Sequence, residues 1–104
     1  MSLKTREMVF VALADPSRRL LLDRLRQRNG QTLSDLCDGQ AISRQAVSKH
    51  LAVLEQANLV VSEKRGRERL HFLNPVPIHA VAMRWLKLFD ELPLDTLSKS
   101  KGPG

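Results

Sequence analysis

The chain has 104 residues, 42% of them hydrophobic, which suits one compact domain with a modest core. Seventeen Lys and Arg against eleven Asp and Glu give a formal net charge of +6, which favours a polyanionic partner without naming it. Phe10, Phe72, Trp85 and Phe89 are too few aromatics for a surface that stacks single-stranded bases, and the lone Cys37 has no partner for an intrachain disulfide.

The first helix is predicted over Lys4–Leu13, with Met8, Val9 and Leu13 among its apolar positions. "ADPSRR" follows: Asp15 suits an N-cap and Pro16 the first helical position, so a second helix starts there. Leu21, Leu22 and Leu25 point inward, and Asn29-Gly30 marks its stop. "QTLSDLCDG" predicts a short third helix with a Thr32/Asp35 capping pair, Leu33 and Leu36 inward and Gly39 at its end. Ser43 then caps a fourth helix, reaching about Ala57. Beyond Asn58 the period shortens: "LVVSEK" and "RERLHFL" read as two strands, with Arg65-Gly66 as a tight turn. "NPVP" ends the second strand, and a last helix runs from about Pro77 to Leu92.

The fourth helix is unusual in what it leaves outside. Val47, Leu51 and Leu54 form a narrow core stripe, while Gln45, Ser48, Lys49, Ala52 and Gln56 share the other face. Short polar groups and one lysine approach base edges closely, whereas a Glu-rich face would be repelled by phosphates. Three helices, a helix–turn–helix pair and a hairpin carrying Lys64, Arg65, Arg67 and Arg69 predict a winged helix–turn–helix. The fold class is mainly α, with about five helices and a two-stranded wing. The fourth helix is the element such folds place in the DNA major groove. Residues 1–92 are expected to form one DNA-binding and dimerisation domain, and 93–104 a flexible tail.

At these residues the chain resembles a known family. "ADPSRRLLLDRL", "SRQAVSKHLAVLEQANLV" and "RGRERLHFL" are similar to the ArsR-type winged-helix regulators of bacteria, over about Met8–Phe89. The resemblance implies a homodimeric repressor that binds imperfect palindromes near its own gene. It carries Ser43, Gln45, Ser48, Lys49 and His50 onto the recognition helix, and Arg65 and Arg67 onto the wing. Many such regulators sense metals. One metal pattern places Cys-x-Cys on the third helix; here Cys37 matches and Gly39 replaces the second thiolate. Another uses Asp-x-His and His-x-x-Glu on the last helix; here only His79 matches, with Pro77, Asp90 and Pro93 elsewhere in the pattern. The likeness is closer to a branch that does not sense metal, so no metal and no cofactor are expected.

Gln45 and Lys49 are the candidate base-reading residues, since Gln suits adenine and Lys guanine. Ser43, Arg44, Ser48, Lys64, Arg65, Arg67 and Arg69 complete the candidate DNA contacts, with His50 packed on the flank or touching a phosphate. His71, beside Arg69 on a strand, reads as exposed, His79 as solvated, and Cys37 as a small half-buried residue. Ile78, Val81, Ala82, Trp85, Leu86, Leu88, Phe89 and Leu92 cover about 160° of the last helix, wider than packing on a small domain needs. A dimer through the terminal helices follows, with Val9, Leu13, Val81, Trp85, Leu88, Phe89 and Leu92 at its interface.

Competing readings are a metal-sensing member of the same family, or a winged-helix module that binds protein and uses its charge for solubility. A protein-binding module would expose apolar groups where the fourth helix exposes polar ones. No paired carboxylates with a histidine, phosphate loop or GxSxG motif is present, so no enzyme is expected. No apolar run is long enough to span a bilayer, and the N-terminus lacks a leader pattern. A cytoplasmic protein without a membrane partner is expected; the operator, any small-molecule effector and the regulated genes are not readable.

Overall fold

In a computed structural model, residues 3–90 are described. Leu92 and the expected tail over 93–104 lie outside the described residues. The elements are α1 (Leu3–Leu13), α2 (Pro16–Gln27), α3 (Leu33–Cys37), α4 (Arg44–Gln56), β1 (Val60–Arg65), β2 (Glu68–Leu73) and α5 (Val76–Asp90). This is the winged helix–turn–helix read from the sequence.

Local chemistry places most boundaries. The Asp15 carboxylate accepts from the Ser17 and Arg18 N–H groups at 2.8 and 3.3 Å, and Pro16 opens α2. Thr32 and Asp35 form a full capping box, with both bonds at 3.1 Å. Ser43 Oγ accepts from the Ala46 N–H at 3.1 Å. The end of α4 is a Schellman motif built on Asn58, whose φ of 61° is left-handed. Leu59 N–H donates to the Leu54 carbonyl at 2.9 Å and Asn58 N–H to that of Glu55 at 3.0 Å. Leu54 and Leu59 are both fully buried, so the apolar contact that accompanies this motif welds α4 to the root of β1.

Two boundaries differ from the sequence reading. α2 stops at Gln27, short of Asn29-Gly30, because the chain there already runs alongside β2. Gly30 and Gln31 N–H groups donate to the His71 carbonyl at 2.9 and 3.1 Å, and His71 N–H returns to Gln31 O at 2.8 Å. Asn29 Oδ1 accepts from Leu73 N–H at 2.7 Å. The hairpin turn falls on Gly66-Arg67, one residue later than expected. Gly66 has φ +64°, the positive value a two-residue turn with glycine first requires, so Arg65 stays in the ladder opposite Glu68.

The core gathers Val9, Ala12, Leu21, Leu22, Leu25, Leu36, Val47, Leu51, Leu54, Ala57, Leu59, Val60 and Val81. Each fully buried leucine there contributes about 1.5–3 kcal/mol relative to exposure. Arginines of α2 finish the neighbouring helices. Arg19 donates to the Leu13 carbonyl at 2.6 Å, and Arg24 to the Asp35 and Leu36 carbonyls, both at 3.3 Å. These cations satisfy acceptors that helix ends leave open.

Two of the expected interface residues belong to this core. Val9 is 0% exposed and Val81 5%, so both spend nearly all of their apolar surface within this chain. Leu13 is half-buried against the core. The outer surface of the pair is instead Phe10 and Val11 on α1 with Met83, Trp85, Leu86, Leu88 and Phe89 on α5, all exposed. Trp85 meets Phe10 and Phe89 edge to face, at ring distances of 6.5 and 5.2 Å.

Candidate nucleic-acid interface

Helix α4 presents the face the sequence predicts. Gln45, Ser48, Lys49, Ala52 and Gln56 are exposed, while Val47, Leu51 and Leu54 are buried behind them. Among the described residues, no hydrogen bond or ion pair engages the side chains of Gln45, Ser48 or Lys49. Ser43 is exposed, but its oxygen is already the cap of α4, which leaves its hydroxyl proton as the group it can offer. Arg44 is anchored to Ser34 of α3, its Nη1 donating to Oγ at 3.1 Å.

Across from α4 stands the wing, and between them lies a cleft of about 720 Å³. Arg44 and Ser48 line one wall with Ser34 and Ala52; Arg67 and Arg69 line the other. The strand register sorts the wing cations. Lys64 pairs with Arg69, Ser62 with His71 and Val60 with Leu73, so these share one face by two-residue alternation. That face runs from the buried root to the cleft. Arg65 shares the other face with Glu63 and Phe72; its guanidinium donates to the Glu63 carboxylate at 3.1 Å and lies 5.5 Å from the Phe72 ring centroid. Arg69 Nη1 donates to Ser62 Oγ at 3.0 Å, which holds it upright on the cleft side. The structure therefore brings Arg44, Ser48, Arg67 and Arg69 together and places Arg65 apart.

Acids in the cleft are committed. Hydrogen bonds from the Thr32 backbone and side chain, joined by the Arg28 charge, hold the Asp35 carboxyl below its ordinary value against the opposing effect of burial. Glu55 Oε1 lies 3.9 Å from His71 Nε2. Glu68 stands opposite Arg65 in the strand register, beside the turn.

His71 corrects the sequence reading. It is buried, with Nδ1 2.9 Å from the Gln31 carbonyl, to which it donates, while Gln31 sends its own Nε2 to the Arg24 and Arg28 carbonyls. Its strand face was read correctly, but that face is covered at the root of the wing and bare at the tip. Gln31 and His71 are the two buried polar residues described, and together they pin the wing to the end of α2. Neither belongs to a recognisable motif; only the strand alternation that groups His71 with Leu73 carried a signal. His50 is half-buried and turned toward Arg18, so it serves the packed flank of α4.

Among the described residues, no three of His, Cys, Asp and Glu come together as a metal site, and no helix is long and apolar enough to cross a membrane. Cys37 is half-buried at the end of α3; His79 is exposed on the first turn of α5.

Residues 13–63 match a family model described as a helix-turn-helix domain. The chain is 39% identical over 88 residues to the uncharacterized HTH-type transcriptional regulator YuzN of Bacillus subtilis, covering 79% of this chain and 96% of that protein. It is 31% identical to the transcriptional repressor SdpR of the same organism, over 78% and 88% of the two chains. Among solved structures, an ArsR-like transcriptional regulator from Rhodococcus superposes with a TM-score of 0.75 at 33% identity, covering 85% of this chain and 82% of the other.

Proposed function

The chain belongs to the ArsR family of winged helix–turn–helix transcriptional regulators, and from that premise we infer that it is a homodimeric repressor binding a palindromic site in duplex DNA. Helix α4 enters the major groove. Gln45 and Lys49 read base edges, and Ser48 serves a base or a phosphate. Arg44 and Ser43, at the start of α4, hold the backbone on one side of the cleft. Lys64, Arg67 and Arg69 hold it on the other, at phosphates or the adjacent minor groove. Arg65, tied to Glu63, adds a weaker contact from the outer face. His50 is left to packing.

One observation carries this reading. Exposed polar side chains on α4, of which Gln45, Ser48 and Lys49 have no partner among the described residues, stand beside a strand pair in which Lys64 is directly opposite Arg69. Like charges directly opposed across two strands destabilise a hairpin. A polyanion between the wing and α4 turns that repulsion into attraction. The apolar outer face of α1 and α5 supplies the second copy, and with it the twofold symmetry that a palindrome requires. The relative named a repressor supports repression. Such a regulator is neither an enzyme nor a membrane protein and works in the cytoplasm. Cys37 without a second thiolate, and His79 without its partners, favour no metal effector.

Selection of bound sequences from a random duplex library, followed by footprinting upstream of its own gene, tests the proposal. Two half-sites in inverted repeat, about one helical turn apart, are expected. Equal retention of all duplexes, or none, overturns it.

A further inference from the structure

"ADPSRR" lies outside the cleft, yet Arg18 within it is only 14% exposed. Its guanidinium donates from Nε to the Ala12 carbonyl at 2.8 Å and from Nη2 to the Val11 carbonyl at 2.9 Å. Both acceptors belong to the last turn of α1, where the helix supplies few N–H partners of its own. The remaining nitrogen, Nη1, lies 3.3 Å from Nδ1 of His50 in the middle of α4. A guanidinium only donates, so Nδ1 is the acceptor and the neutral ring carries its proton on Nε2. The Asp15 carboxylate, cap of α2, stands 4.0 Å from the same Nη1. Burial pushes the Asp15 carboxyl up, but the Ser17 and Arg18 N–H bonds and the Arg18 charge outweigh it, leaving it below its ordinary value. One planar group thus touches the end of α1, the cap of α2 and the flank of α4.

The consequence rests on the dimeric reading above. In a dimer joined through α1 and α5, each recognition helix is placed by its relation to its own α1. The two copies of α4 then meet DNA at a separation set by that relation. Apolar packing between α1 and α4 is non-directional and tolerates sliding. A rigid fork bonded at both ends does not. We propose that Arg18, acting through His50, is a positioning residue that sets the half-site spacing this protein accepts.

The test uses the full chain, its selected operator, copies of that operator with one or two base pairs inserted or removed between half-sites, and a duplex holding a single half-site. Arg18→Gln and His50→Leu are each expected to lower the ratio of cognate to misspaced affinity by about ten-fold, and the double variant by no more than either. His50→Asn, whose Oδ1 falls near the place of Nδ1, is expected to recover most of that ratio. Affinity for the single half-site should change by less than about two-fold in all of them, as suits residues that touch no base. Sedimentation and thermal melts set a temperature at which each variant is folded and dimeric. Should Arg18→Gln fail to fold, the contrast between His50→Leu and His50→Asn carries the test.

Folded, dimeric variants that keep the wild-type spacing ratio overturn the proposal. So does an equal loss on every duplex, single half-site included, which would make Arg18 a general stabiliser. A wild-type chain that is monomeric or reads no twofold site fails earlier, and overturns the dimeric reading together with this one.

Discussion

The cleft side and the α1–α5 side of this molecule are both exposed, and they are exposed for opposite reasons. On α4, the outward side chains of Gln45, Ser48 and Lys49 are polar and have no partner among the described residues, while the backbone beneath them is pinned by the Ser43 cap and the Asn58 turn. On α5 the outward side chains are large and apolar: Trp85 and Phe89 are each 51% exposed, although they already touch one another. Water tolerates the first surface and not the second. On the proposed reading, the first waits for a polyanion it holds in water and releases with salt, and the second is half of a core that a second copy completes. Exposure alone does not identify an interface; the chemistry of what is exposed does.

The comparison breaks most visibly at α5. Trp85→Glu is expected to give a monomer in sedimentation at tens of micromolar, with operator affinity reduced by about 100-fold or more as the joint binding of two half-sites is lost. A wild-type protein that sediments as a monomer at that concentration refutes the contrast outright. On the cleft side, Lys49→Ala or Gln45→Ala should weaken the cognate site by about 1–3 kcal/mol and relax base preference at one position per half-site. If Lys49→Ala weakened every sequence equally, Lys49 would move from base to backbone.

Arg67→Ala sharpens the distinction within the cleft. It should weaken all duplexes alike and flatten the dependence of log affinity on log salt by roughly one or two units per dimer, through lost counterion release. A smaller effect concerns the scaffold. The Asp35 carboxyl is held below its ordinary value of 3.8 when folded. Its contribution is therefore present above that value and is lost as pH falls through the lowered folded one. An acid melting series on Asp35→Asn should lack this drop, while Gln45→Ala should retain it. The smallest expected effect is none: zinc at sub-micromolar, stoichiometric levels should leave operator affinity unchanged. A zinc titration that releases DNA, and is abolished by His79→Ala, places the protein among metal sensors.

Much of the fold was legible because its signals are local. The caps of α2, α3 and α4 each rest on residues two or three apart, and Asp15, Thr32, Asp35 and Ser43 are where the sequence puts them. The polar face of α4 was equally legible, since 3.6-residue periodicity needs no tertiary knowledge. What escaped depends on distance along the chain. His71 and Gln31 are 40 residues apart, and Arg18 and His50 are 32 apart. Val9 and Val81 lie on the apolar arcs of their helices, but an arc does not say which part faces its own domain. Packing divides it, and here the inner edge goes to the core and the outer edge to solvent. The hairpin turn slipped by one residue because two arginines flank Gly66; glycine takes a positive φ in either turn, and only the strand register, with Arg65 opposite Glu68, decides between them.

The freedom of Gln45, Ser48 and Lys49 has a bearing on descent. Since no hydrogen bond or ion pair among the described residues engages these side chains, exchanging them leaves the caps, the Schellman turn and the core intact. Mutation can therefore explore new operators without passing through unfolded intermediates, and a duplicated copy of the gene can diverge in target within a few substitutions. Residues such as Arg18, Gln31 and His71 lack that latitude, because each is bonded to more than one element. If the proposed roles hold, Gln45, Ser48 and Lys49 should diversify quickly among descendants of this chain while Arg18, Gln31 and His71 stay as they are.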